Sequence, residues 1–221
     1  MRGLSACRRR AHAVHPGILA TAACAILAAG CGVGVDESPR PLDIEASTTT
    51  VAESPSDGQL STVLYYVRDG KLLPLERELP DRTASTVINA LTQSPSPAVA
   101  GVGTSLPAGT RVLETVRGGD RLVVDLSQDF DTVVGLARQQ AIGQMVMSIT
   151  RGPTHDVEFR LEGRPLTVSS PSRGDTTVVD QCDFEDLLAV PEGEAVQGLA
   201  ASSIQELERR HADLDDQCQT R

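Results

Sequence analysis

The chain has 221 residues, a formal net charge of −10 and only five aromatic residues, with no tryptophan. Removing the first 30 residues takes away four arginines and no acid, so the remainder is more acidic still. Such a charge repels nucleic acid and anionic head groups, which excludes DNA or RNA as partners. The aromatic residues are Tyr65, Tyr66, Phe130, Phe159 and Phe184. Once a core is filled, little is left to line a sugar- or peptide-binding groove.

The N-terminus carries Arg2, Arg8, Arg9 and Arg10, followed by an uncharged apolar stretch from Gly17 to Ala29. A basic start, a short apolar middle and small residues at a cut site are the parts of a secretory signal. The stretch is too short to span a membrane, which takes about 20 apolar residues. It ends on Leu27-Ala28-Ala29-Gly30-Cys31, which resembles a bacterial lipobox. In that motif the cysteine thiol receives a diacylglycerol and becomes the mature N-terminus. Cys31 is therefore the expected lipidation site, with residues 1–30 as signal peptide. The leucine lies one position earlier than is usual in the motif.

Residues 31–60 are expected to form an acidic tether, with Asp36, Glu37, Asp43, Glu45, Glu53 and Asp57 against a single arginine. The segment lacks the apolar content needed to bury a core. A flexible chain of that length spans about 30 Å.

Folding is expected from Ser61. Thr62–Arg68 is β-rich, Asp69-Gly70 is a tight-turn signal, and Lys71–Glu76 returns as a second strand. Pro74 places that strand on a sheet edge. Asp81 or Thr83 caps a helix with Ala84, Val87, Ile88 and Leu91 at helical spacing. Thr110–Arg117 and Arg121–Leu126 form a second hairpin through Gly118-Gly119-Asp120. A helix over about 132–150 presents Val134, Ala137, Ala141, Ile142, Met145, Val146 and Ile149 inward. Arg138, Gln139, Gln140 and Gln144 then fall mostly on its solvent face. Asp156–Glu162 is a strand, Gly163-Arg164 a turn, and Pro165–Ser169 a short return. Thr176–Val179 reads as an edge strand and Asp183–Val190 as a short helix packing Phe184, Leu187 and Leu188. A polar helix follows, with Val196, Leu199, Ile204, Leu207 and Leu214 inward. The order predicts a single α+β domain: an antiparallel sheet of hairpins with two helices packed on one face.

Several stretches together resemble the GerMN domain, named for a protein of spore formation and germination and found in many bacterial lipoproteins. They are Val63–Leu72, Leu106-Pro107-Ala108-Gly109-Thr110, Leu122–Phe130 and Val157–Gly163. In lipoprotein members a tail like Asp183–Leu188 closes the domain. The resemblance implies a GerMN-like domain over 61–190, an acidic helical tail over 191–221, and an extracytoplasmic interaction or scaffold module. It implies no catalytic residues.

Cys182 and Cys218 remain after the signal and the lipidated cysteine are set aside, an even pair for an oxidising compartment. One intramolecular disulfide between them is expected; two free thiols or pairing between chains also satisfy that count. Asp125, Asp129 and Asp131 are the one acidic cluster in the domain. They serve acid–base chemistry if burial splits their affinities for protons, and turns and caps if it does not. His155 and His211 lack ligand-spaced partners, so no metal or other cofactor is expected. Ser105 is not in a nucleophile elbow, and no phosphate-cradling glycine loop ends in a lysine. The sequence thus points to a non-enzymatic lipoprotein, held at the membrane by its N-terminal lipid and binding another cell-envelope protein. Two alternatives are an accessory lipoprotein binding a small ligand and, further off, a cell-wall hydrolase.

Overall fold

The computed structural model describes residues 58–95, 99–150 and 155–219. The signal segment, Cys31 and all but the end of the expected tether lie outside the described residues.

Strands β1 (Leu60–Arg68) and β2 (Lys71–Leu79) form an antiparallel ladder, with Tyr65 opposite Pro74. Asp69 and Gly70 both have positive φ, 52° and 80°, as the two-residue turn that matches strand twist requires. Helix α1 (Ala84–Leu91) follows, and its cap is Thr83, whose side chain accepts the Thr86 N–H. Val87, Ile88 and Leu91 are buried, the face that helical spacing selects.

The main sheet orders β3 (Val112–Gly118), β4 (Arg121–Leu126), β5 (Val157–Leu161) and β6 (Arg164–Pro165), with β9 (Val178–Val179) also on β5. β3 and β4 are an antiparallel hairpin, but β4 and β5 run parallel, Val124 beside Phe159. The connection between them is α2 (Gly135–Ile149), a crossover of the length that parallel strands need. Leu122, Val124, Leu126, Val157, Phe159 and Leu161 point to the core. The opposite face carries Glu158, which pairs with Arg160 at 2.9 Å and Arg121 at 3.8 Å. One face of the sheet is thus covered and the other wet, as in the expected α+β class; the parallel pair is the added feature.

Two boundaries move by a few residues. Gln128–Thr132 is a 3₁₀ turn, so the long helix starts at Gly135. The tight turn after β5 is Glu162-Gly163, with φ of 49° and 79°, one residue earlier than expected. β7 (Val168–Ser170) and β8 (Gly174–Thr176) make a small ladder. A 3₁₀ segment, Gln181–Leu187, then carries Phe184 and Leu187 into the core. The last helix, α3 (Ala201–Cys218), buries Leu207 and Leu214 and packs on β2 and on the Gln181–Leu187 turn. Cys182 and Cys218 are joined in a disulfide, with Cα atoms 5.7 Å apart.

The amphipathic assignment of α2 needs correction. Val134 is 68% exposed and Ala137 also faces water, whereas every residue from Gln140 to Met147 is buried. This helix is wrapped by β1, β2, α1, β7 and the Gln181–Leu187 turn. Gly143 sits where a Cβ would meet Leu72 at 3.0 Å and Phe184 at 3.3 Å, so the lack of a side chain lets the helix approach.

Candidate functional site

The two glutamines read as solvent-facing are the polar staples of the fold. Gln144 is fully buried; its amide donates to the Tyr65 carbonyl at 3.0 Å, and its oxygen accepts the Ser105 N–H at 2.7 Å. Gln140 donates to the Gly70 carbonyl at 3.2 Å and accepts from the Ser105 hydroxyl at 3.1 Å. A neutral amide carries both donor and acceptor, so it can be buried where each finds a partner. Ser105, weighed as a nucleophile in the sequence, is tied into this network.

The acidic cluster is divided among three local tasks. Both Asp125 oxygens accept the Gly163 N–H, at 2.9 and 3.0 Å, which closes the turn after β5. Asp129 accepts from the Ser127 hydroxyl at 3.0 Å. Ser127 itself accepts the Arg111 N–H at 3.1 Å and makes no cap bond to the turn that follows. Asp131 pairs with Arg138 at 2.8 Å, and the guanidinium also reaches over the Phe130 ring. None of the three lines the five principal clefts among the described residues. The arrangement offers no shared site in which one carboxylate could give a proton while another takes one.

The carboxylate with an unusual environment is Asp183, 2% exposed. Burial alone would raise its proton affinity. The Arg173 guanidinium, the Asp180 N–H at 2.8 Å and the Ser170 hydroxyl at 2.8 Å outweigh that and hold it below the usual carboxylate range. Asp180 returns the bond to the backbone of the same turn, completing a capping box. An Asp-x-x-Asp spacing was visible in the sequence at 180–183 and is the signal that marks this turn.

A second buried network lies under α3. Arg210 is 8% exposed and donates to Gln181 Oε1 at 2.7 Å and to the Tyr65 hydroxyl at 3.2 Å. Gln181 passes the chain on to Thr150 Oγ1 at 2.6 Å. Burial pushes the Tyr65 phenol up to about 12, against the pull of Arg210. Arg68, also buried, caps a short turn by donating to the Ala195 and Gln197 carbonyls at 2.9 and 2.7 Å.

The expectation that β2 is an edge strand meets the structure at Leu72–Glu76. Leu72, Leu73 and Pro74 are buried, Leu72 bridges to Leu188, and its carbonyl accepts the Ala189 N–H at 2.8 Å. The edge at Leu72–Glu76 is therefore partly covered by the chain's own C-terminal segment. The outer edge of β3 has no partner strand among the described residues, and Leu113 to Gly118 are exposed throughout. All five aromatic residues are buried to 1% exposure or less, so no aromatic platform lines the surface. The clefts are superficial; one of about 520 Å³ lies between α1, Pro80 and the start of β3. Among the described residues no group of three His, Cys, Asp or Glu could hold a metal ion.

These features define a small α+β module whose buried polar groups hold the fold together. Residues 55–167 match the Germane family, described as sporulation and spore germination, and the chain belongs to that family. No curated protein shows significant sequence similarity. Among solved structures, the tandem GerMN domains of the sporulation protein GerM from Bacillus subtilis align at 20% identity and a TM-score of 0.46. That alignment covers 58% of this chain and 47% of the other, so the chain spans about half the length of the tandem protein. The first GerMN domain of the same protein aligns at 22% identity and a TM-score of 0.41, over 55% of this chain and 95% of that one. A Clostridium perfringens protein, named a lipoprotein only provisionally, gives 19% identity and a TM-score of 0.37, over 62% and 97%.

Proposed function

We propose that this protein is an extracytoplasmic lipoprotein whose domain works as a non-enzymatic interaction or scaffold module in the cell envelope. The observation that carries the reading is membership of a sporulation-and-germination family over residues 55–167. The segment before it supports export: Cys31 follows a charged start and a short apolar stretch, the order of a lipidated signal. Lipid on Cys31 would tie the chain to the outer membrane surface, and residues 31–60 would let the domain reach a neighbour.

The partner expected is another envelope protein. An acidic surface favours a basic partner and an association that weakens with salt. The open edge of β3 suits such docking, because unpaired backbone groups can accept an added strand. Full-length protein recovered from detergent-solubilised envelopes should retain a basic protein at low salt and lose it at high salt. Recovery of the protein alone at every salt concentration contradicts the reading.

A further inference from the structure

Among the described residues, one small cleft of this acidic protein gathers two arginines and a histidine against a single acid. It is a cleft of about 300 Å³ between the tip of the β3–β4 hairpin and the end of α2, lined by Arg82, Arg117, Leu122, Ile149, Thr150 and His155, with Asp120 the single acid. The Arg117 side chain makes no ion pair or hydrogen bond with any described residue. Arg82 is anchored by neutral oxygens alone, donating from Nε to Thr62 Oγ1 at 3.1 Å and from Nη2 to the Ser61 carbonyl at 2.5 Å. Its charge is held in position but not cancelled. His155 Nδ1 is shielded from solvent and has no hydrogen-bond partner among the described residues. A second cleft of about 310 Å³ shares Arg82, Ile149 and Thr150 and adds Arg209, whose charge Glu206 and Asp213 already balance.

We propose that the Arg82–Arg117 cleft is an oxyanion site that takes a phosphate group between the two guanidinium forks, with the His155 imidazole beside it. A guanidinium offers paired N–H groups in a planar fork, and one fork satisfies both oxygens of a carboxylate. Two forks lining one small cleft can donate to three or four acceptor oxygens, which a phosphate supplies. The lining is too polar and too poor in aromatic surface for an apolar ligand. A phosphate group can come from a soluble ester or from a lipid headgroup. The protein's net charge of −10 opposes approach to an anionic bilayer, so the soluble source is the one assigned. The site shares Arg117 with the β3 edge assigned to docking, but phosphate binding is read on the protein without a partner, so either reading can fail while the other stands.

The test follows thermal unfolding of full-length protein in zwitterionic detergent while inorganic phosphate is titrated against chloride at matched ionic strength. A ligand that binds the native state raises the midpoint along a saturating curve, whereas general salt stabilisation keeps rising. The wild type should saturate. Arg117→Gln and Arg82→Gln should each raise the apparent dissociation constant at least about tenfold, as for loss of one charge-assisted fork. Arg164→Gln, an exposed arginine on β6 outside the cleft, should behave as wild type. Arg117 sits on the exposed hairpin, so its variant keeps the fold even where Arg82→Gln loses the Ser61 and Thr62 bonds. A non-saturating rise shared by all four proteins overturns the proposal. So does Arg117-dependent flotation with phosphatidylglycerol vesicles in the absence of a saturating phosphate response.

Discussion

The Tyr65 hydroxyl in the first strand accepts from Arg210 Nε in the last helix at 3.2 Å, and the guanidinium also lies 6.0 Å from the Tyr65 ring centre. Contact between residues 145 positions apart closes the fold at its two described ends. Arg210 continues to Gln181 and Glu206, so its charge is met on several sides. Arg210→Met should cost about 2–3 kcal/mol, since it leaves the buried Gln181 Oε1 unpaired and removes the cation that faces the Tyr65 hydroxyl and Glu206. Tyr65→Phe removes the hydroxyl's bonds to Arg210 and Glu206 while Arg210 keeps its others, and it should cost about 1 kcal/mol. Urea unfolding of the two variants and of the double variant measures both and their coupling.

The phenols provide a pH test. Burial raises Tyr65 to about 12 and raises Tyr66 as well, with Arg77 opposing at the latter. A folded-state value above the unfolded one means stability is whole below the ordinary tyrosine range and falls as pH rises through it. The two tyrosines are the only ones in the chain. Phenolate absorbance should therefore lag behind free tyrosine on alkaline titration and appear together with loss of helical circular dichroism. Early, separate ionisation of one tyrosine with the fold intact contradicts this.

Cys182 and Cys218 tie α3 to the turn that carries Phe184. Closing a loop with a sequence separation of 36 is worth up to about 4 kcal/mol in the chain-entropy account. Cys218→Ser should lower the unfolding midpoint and make α3 the first element to exchange its amide hydrogens. Non-reducing peptide mapping of exported protein should recover the linked pair. Free alkylation of both thiols contradicts the bond.

Asp183 sets the acid limit of the same region. Its carboxyl is held below the ordinary range, so the stability it contributes is present above that range and is lost as pH falls through its folded value. Asp183→Asn removes the charge that faces Arg173 and should cost about 2–3 kcal/mol near neutrality. The gap between variant and wild type should close in acid. A gap that stays constant over the acid range would mean the charge contributes nothing.

Local signals in the sequence carried most of the framework. Asp69-Gly70, the Thr83 cap and the alternation in β4 and β5 act within a few residues, so they could be read without tertiary knowledge. The resemblance to the GerMN domain identified the family the chain belongs to. What could not be read was set by distant partners. Gln140 and Gln144 count as polar in any helical pattern, yet Gly70, Tyr65 and Ser105 satisfy them in the interior. Arg210 belongs to a helix whose apolar stripe is thin, and Tyr65, Gln181 and Glu206 satisfy it in the interior. The parallel pairing of β4 with β5 depends on where the α2 crossover returns the chain, which no local period encodes. At the sheet margins, Pro74 marked an edge but could not reveal that Leu188 and Ala189 lie along it. The Arg82–Arg117 cleft joins residues from three parts of the sequence, none with a motif around it.

The central claim is that the domain acts through a protein partner in the envelope. Photo-crosslinkers placed in the full-length protein in living cells, one at a time at Leu113, Thr115 and Arg117 on β3 and at Glu76 on β2, test it most directly. The account predicts capture of one basic envelope protein from the β3 positions, weakened by salt, with less or none from Glu76. Absence of any captured protein from these positions and from exposed sites on α2 and α3 would contradict it.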